Sequence, residues 1–425
     1  MTLHILHMLR SQKRHISFHT PGHKRAGMDI TELPYSDDLS DPKGVLALAQ
    51  ADAAHILGAK ESFFLTDGST CGVFSMMYAL RSRGCRRICV PTYAHKSVFH
   101  ACEVMGLTPV LLPQETVGGI PRQPARETLE KALFDADALL LTSPDYYGFF
   151  PPLFEARTVC DAQGKPLAVD GAHGSHLHGT PMYAGNFADL WVDGVHKSLP
   201  ACTQGAIVSA KGDWTEPLRA GVERFRTSSP SYPILASIEY AVKYPRNARI
   251  EGAAERAKRA LSALENDDWT KIVVFFGDAV YAAEDYLEAH GVYPEFNDGQ
   301  YLMFYLSPAT KVRELNKLVR LVRRLRHGAP ACMPIAEKLS DPLVLTHVSE
   351  PSAADMVGGK QAKTVMLLPD EAVGKVCARA CGMVPPCLPL LVRGEVVTAE
   401  KAAQLKKARH TFGLTDGRIA VYSEE

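Results

Sequence analysis

Ser62-Phe63-Phe64-Leu65-Thr66-Asp67-Gly68-Ser69-Thr70 passes from a β-prone apolar run, through a polar turn containing glycine, into a helical run from Cys71 to Leu80. Outward from this unit the same alternation recurs, with short apolar runs at Ile88 to Val90, Thr108 to Leu112, Ala138 to Thr142, Pro166 to Val169, Leu190 to Val192 and Ala206 to Ser209. Such alternation is the mark of parallel strands joined by crossover helices, and it predicts one large, seven-stranded, mostly parallel sheet in an α/β fold. Glu251 to Leu264, rich in Ala, Arg, Lys and Glu, reads as a long exposed helix at a change of domain. Beyond it, Ile272 to Phe276, Tyr301 to Tyr305 and Lys311 to Leu325 suggest a smaller C-terminal α/β layer. A chain of 425 residues has room for both units and an arm. The expected division is an arm at 1–34, a large domain at 35–262 and a small domain at 263–425. Signals weaken between Ala329 and Gln361, and there is no internal repeat.

Lysine plus arginine and aspartate plus glutamate total 47 each, so no net field draws nucleic acid or an anionic membrane, and a small molecule is the expected partner. No apolar run approaches the roughly 20 residues that span a bilayer, and basic residues follow, not precede, the short run Ile5 to Leu9. The ten cysteines lie at spacings unlike a zinc ribbon or a redox pair. Reduced thiols in a cytoplasmic protein are the expectation.

In open α/β sheets ligands bind beyond the carboxyl ends of the strands, and three strand ends here carry polar groups. After Leu65, Gly68, Ser69 and Thr70 open a helix whose first amides and hydroxyls suit a phosphate, although an ordinary cap by Ser69 or Thr70 would look the same. After the run at Pro166 comes Asp170, in Asp170-Gly171-Ala172-His173-Gly174-Ser175-His176. A carboxylate there either caps a turn or meets a buried cation such as a protonated pyridine nitrogen. The clustered His173, His176 and His178 invite a metal reading, but no acidic or thiol ligand joins them at a standard spacing, and no metal is expected. After Val192 comes Asp193-Gly194-Val195-His196-Lys197-Ser198. A lone lysine is usually a solvated surface group. Hydroxyls for a phosphate, an aspartate for a ring nitrogen and a lysine for an aldehyde, in that chain order, are the partners that pyridoxal 5'-phosphate (PLP) requires.

These residues resemble the Orn/Lys/Arg decarboxylases of PLP fold type I. His19-Thr20-Pro21-Gly22-His23-Lys24-Arg25, Asp37-Asp38-Leu39, Pro42-Lys43-Gly44-Val45, Phe63 to Thr70, His95-Lys96-Ser97, Thr142-Ser143-Pro144 with Tyr146-Tyr147-Gly148, His196-Lys197 with Thr203-Gln204-Gly205, and Ser229-Pro230-Ser231-Tyr232 all match, across nearly the whole chain. The resemblance implies that Lys197 carries PLP covalently, Asp170 pairs with the ring nitrogen and His95 stacks on the ring. It further implies that Gly68, Ser69, Thr70 and His196 hold the phosphate and that His173 sits near the ring. It implies a homodimer with composite active sites, in which Ser231 and Tyr232 approach the other subunit's cofactor. The chain is similar to the short family members without a receiver-like N-terminal domain.

Four features depart from the family pattern: Thr92-Tyr93 before the stacking histidine, Asp145 after Thr-Ser-Pro, Val384-Pro385-Pro386-Cys387 where Tyr-Pro-Pro-Gly is usual, and Ser349-Glu350-Pro351-Ser352 as a poor stand-in for Ser-Pro-Arg-Glu. The expected reaction is α-decarboxylation of a basic amino acid, of the kind used in polyamine biosynthesis, with Lys197 or His173 returning a proton to the substrate carbon. Glu395 and Asp145 are the candidate carboxylates for the substrate's distal cation. Two carboxylates suit a guanidinium fork, which favours arginine over lysine and ornithine. The alternatives are an aminotransferase or another PLP-dependent lyase, and a family member without turnover.

Overall fold

The computed structural model describes residues 2–25, 27–112, 115–117, 120–328, 343–344, 363–384 and 388–423. All seven apolar runs form strands of one sheet: β1 (Glu61–Leu65), β2 (Arg87–Pro91), β3 (Thr108–Leu112), β4 (Ala138–Thr142), β5 (Leu167–Gly171), β6 (Leu190–Asp193) and β7 (Ala206–Ala210). The spatial order is β1-β7-β6-β5-β4-β2-β3. Strands β2 to β6 pair in parallel, whereas β7 runs antiparallel to both β6 and β1. The apolar pattern carries no direction, so this reversal could not be read from it. It arises because the link from Asp193 to Ala206 holds only a four-residue helix, Val195–Ser198, instead of a long crossover.

Both faces of the sheet are covered, which is why its strands read as nearly unbroken apolar runs. Leu139, Leu141, Leu167, Val169, Trp191 and Ile207 fill one side, and Ile88, Val90, Leu140, Val192 and Val208 fill the other. The helix His4–Ser11 packs on the first side. Its own N-cap, Leu3, offers no side-chain acceptor. Instead the fully buried Glu239 accepts from His4 N–H at 2.6 Å and from Ile5 N–H at 2.9 Å, across 235 and 234 residues of sequence. Lys243 joins this carboxylate to Asp52, at 3.2 and 2.6 Å.

A second sheet, ordered β8 (Lys271–Phe275), β10 (Tyr301–Tyr305), β9 (Phe296–Asn297), is antiparallel throughout. Ile272, Val274, Leu302 and Phe304 face helices that include Ala248–Ala260 and Val312–Gly328. The expected helix at Glu251 thus starts three residues earlier, where Asn247 accepts from Ile250 N–H at 3.3 Å. The opposite face, with Val273, Tyr301 and Met303, meets Tyr146 and Tyr147 from the loop after β4. A further C-terminal core gathers Leu391, Val397, Leu405, Ile419 and Val421. Residues 385–387 and 349–352, two of the departures from the family pattern, lie outside the described residues.

Candidate active site

The loops after β4, β5 and β6 converge at the carboxyl edge of the sheet. Glycines allow the close approach: a Cβ on Gly174 would lie 2.7 Å from the Ser143 carbonyl, and one on Gly194 would run into the Ala172 carbonyl. The β6 loop thereby presses Lys197 against the β5 loop, and Lys197 Nζ lies 3.1 Å from His173 Nε2. His173 is 5% exposed, and among the described residues its Nδ1 has no hydrogen-bond partner. Burial first, and then the charges of Lys197 and Lys271, hold its pKa well below the usual histidine value. Tyr305 stacks on the imidazole at 5.4 Å, and Tyr146 meets it edge-on at 4.7 Å.

Asp170 is the penultimate residue of β5, is 3% exposed, and accepts from Ala172 N–H at 3.1 Å. Burial pushes its carboxyl above the usual range while Lys197 and that amide pull it back. His95 caps the helix Lys96–Met105, with Nδ1 accepting from Ser97 N–H at 3.2 Å, which fixes its ring plane. Burial, then Lys197, pushes His95 down to about 3, so it is uncharged. The structure thus gathers Lys197, His173, Asp170 and His95 in one place.

Gly68, with φ at +76°, turns the chain from β1 into the helix Gly68–Ser82. The preceding Asp67 does not cap that helix, and among the described residues the Ser69 and Thr70 hydroxyls have no hydrogen-bond partner. Gly68 N–H donates to Gln204 O at 2.9 Å, and His196 Nδ1 lies 3.0 Å from Gly205 O, so the helix start is tied to the segment behind Lys197. Since Nδ1–H donates to a carbonyl and burial keeps the ring uncharged, His196 Nε2 is an acceptor. It must gain a proton before it can donate to a phosphate.

Three further predicted residues lie outside that group, Ser231 having been expected at the other subunit's cofactor and not at this one. Ser231 precedes the helix Tyr232–Val242 without capping it, and none of its hydrogen bonds reaches Lys197. Its neighbour Tyr232 is fully buried and donates to Asp37 O of the same chain at 2.7 Å. Asp145 is 2% exposed and already occupied: Oδ1 accepts from the Tyr147, Gly148 and Phe149 amides at 2.8–2.9 Å, and Oδ2 accepts from Gln123 at 2.8 Å. It organises the turn beneath Tyr146. Glu395 is held by Lys401 Nζ and by Val392 N–H, within its own C-terminal unit.

Nothing in the sequence around Glu295 singles it out. It is open to solvent yet surrounded by protein, as a group in a cleft is; burial pushes its carboxyl upward while Lys197 and Lys271 draw it down. Among the described residues its carboxylate has no hydrogen-bond partner. His173, His176 and His178 turn to Lys197, Asp268 and Ser175 O respectively, and among the described residues no group of three ligating side chains could hold a metal. No helix among them is long and apolar enough to cross a membrane.

The chain is similar to an uncharacterized protein, YaaO, of Bacillus subtilis, at 28% identity over 96% of each chain. It is equally similar, at 28%, to an arginine decarboxylase of Halalkalibacterium halodurans, over 92% of this chain and 90% of that one. Its fold superposes on the constitutive lysine decarboxylase of E. coli with a TM-score of 0.75 and 18% identity, covering 99% of this chain and 82% of the other. The model of the Orn/Lys/Arg decarboxylase major domain matches residues 26–274, more than half of the sequence and a span that holds His95, Asp170, His173 and Lys197, and the protein therefore belongs to the Orn/Lys/Arg decarboxylase family.

Proposed function

We propose that the protein is a PLP-dependent decarboxylase that converts a basic amino acid, arginine ahead of lysine and ornithine, to the corresponding amine and CO2. One observation carries this reading: the Lys197 amine sits 3.1 Å from His173 Nε2, beside the buried Asp170 carboxylate and with its loop tied to an uncapped helix start. PLP has a phosphate, an aldehyde and a ring nitrogen, and each finds a match. The first amides and free hydroxyls of the helix Gly68–Ser82 suit the phosphate. Lys197 suits the aldehyde. Asp170, buried with one neutral donor, suits a protonated ring nitrogen, because a buried carboxylate needs a cation. When bound, PLP supplies the electron sink that takes up the pair left by the departing carboxylate. His95 is held to present its ring, Tyr305 and Tyr146 keep water from His173, and Lys197 is placed to return a proton to the substrate carbon. Incubation of the PLP-loaded protein with arginine, lysine and ornithine should release CO2 and an amine. Transfer of the amino group, or no reaction with any of the three, would remove the reading.

The preference for arginine is supported by the named relative that matches nearly the whole chain, since Asp145 is committed to its turn. Glu295 is an open carboxylate within electrostatic reach of Lys197, and we propose it for the substrate's distal cation. Glu295→Gln should raise KM for the basic substrate roughly tenfold, the scale of one charge-assisted hydrogen bond, with PLP affinity nearly unchanged. If Glu395→Gln, which would release Lys401, has the larger effect on KM, the cation site belongs to Glu395 instead.

A homodimer with composite sites is also proposed. Ile16 and Phe18, beside the His19 to Arg25 signature, are 87% and 95% exposed, an arrangement that one chain leaves uncovered. Sedimentation should show at least a dimer at micromolar concentration. An active, PLP-loaded monomer would overturn this.

A further inference from the structure

Lys271, the first residue of β8, is fully buried, as is Asp268, and His176 is 4% exposed. Lys271 Nζ lies 2.6 Å from Asp268 Oδ2. Asp268 Oδ1 takes His176 Nε2 at 3.0 Å, Thr270 N–H at 2.9 Å and Thr270 Oγ1 at 2.8 Å. Burial alone would raise this carboxyl, but Lys271 and His176 hold it well below the usual range, so it is an anion and His176 Nε2 is the donor.

A buried ion pair adds little net stability, so its location is what needs explaining. It joins two elements that meet at the site. His176 lies on the loop that carries His173, while Asp268 and Lys271 lead into the C-terminal sheet. Lys271 Nζ also lies 5.0 Å over the Tyr305 ring, its cross-strand partner. Tyr305 in turn stacks on His173, with 24° between the rings, and donates its hydroxyl to His173 O at 3.0 Å.

We propose that Lys271 is a positioning residue for the Lys197 chemistry: with Asp268, His176 and Tyr305 it locks the β5 loop and keeps His173 an uncharged imidazole that accepts from Lys197 through Nε2. The groups facing His173 are Lys197, Lys271 and His95, the opposing Asp268, and the rings of Tyr146 and Tyr305. A proton on His173 would add a cation to a buried site that already holds two lysines. The roles then separate. Lys197 gives the proton to the substrate carbon, and His173 orients the amine that gives it.

This inference rests on Lys197 being the reactive lysine. Its test is nitrogen-15 NMR of the histidine rings in the full-length protein, with and without PLP, His173 being assigned by comparison with H173Q. His173 should stay uncharged from pH 8 to about pH 6, below which an ordinary histidine is mostly protonated. In K271M the cation is lost and Asp268 is exposed to the ring, so His173 takes up its proton at higher pH, and the acid limb of kcat/KM should move up by about one unit. Because K271M leaves a buried anion unpaired, D268N/K271M serves as the second variant, with a smaller shift in the same direction since Lys271 outweighs Asp268 at His173. A charged His173 at pH 7 in the unaltered protein, or an unmoved His173 titration and acid limb in whichever variant folds, overturns the proposal. Borohydride fixing PLP to another lysine would overturn the function proposed above and leave the NMR result standing.

Discussion

Replacing Lys197 with alanine is expected to abolish turnover, lowering kcat by roughly 10⁴-fold or more, the scale on which loss of a covalent nucleophile acts. On the function proposed above, the side chain would supply both the amine that meets the cofactor's aldehyde and the proton returned after CO2 leaves, and no neighbour would replace it: His173 is uncharged and His95 is pushed down to about 3. The fold should survive. The helix Val195–Ser198 is held by main-chain bonds, from Lys197 N–H to Gly194 O at 2.8 Å and from His196 N–H to Gly205 O at 3.0 Å, and neither involves the amine. The variant should therefore still bind PLP through the start of the helix Gly68–Ser82 but release it on dialysis. Absorbance in the visible range after gel filtration is the measurement, and a cofactor that remains fixed by borohydride in Lys197→Ala would refute the assignment.

Asp170→Ala should reduce kcat on the order of 10²-fold, about 3 kcal/mol, comparable to losing one preorganised electrostatic partner of a transition state. Asp170→Asn should be almost as slow, since the amide keeps the shape and lacks the charge. The sign with pH follows from the environment. Burial pushes the Asp170 carboxyl upward, and the positive charge of Lys197 opposes it. In the PLP-loaded enzyme a second cation, the ring nitrogen, should hold it ionised, so activity dependent on this anion is present above its pKa and lost as pH falls through it. The protein without PLP should lose that charge at a higher pH than the loaded one. Isotope-edited infrared spectra of the carboxyl band, with and without PLP, would read this order directly, and near wild-type turnover of either variant at saturating PLP would remove Asp170 from the role.

The sheet was legible because burial on both faces forces apolar runs, and all seven were placed within two residues of their true ends. Lys197, Asp170 and the Gly68 turn were legible as positions because each lies at or just beyond the carboxyl end of a strand, where sequence position and spatial position coincide. What was not legible depends on partners distant in sequence or on local geometry that spacing does not reveal. Asp145 reads as a free carboxylate until its three amide donors fold around it, and Glu395 until Lys401 is seen beside it. Lys271 drew no reading at all, because nothing in its sequence neighbourhood announces the Tyr305 ring beside its amine. Glu295 is a single acidic residue in a loop, and only the folded chain brings it towards Lys197.

The carboxylate of Glu239 has a consequence for how the chain is made. The first turn of the helix His4–Ser11 has its capping group 235 residues further along. At about 5–20 residues per second of synthesis, roughly 12–50 s separate the appearance of the two partners at the ribosome. For that interval the helix lacks its cap and one of the two helices it packs against, Tyr232–Val242, the other being Val45–Leu57, and so short a helix is marginal alone in water. Residues 4–11 are thus fully secured only after Glu239 has been made. Nascent chains arrested short of residue 239 should leave this segment open to protease, while chains extended past the helix Tyr232–Val242 should protect it.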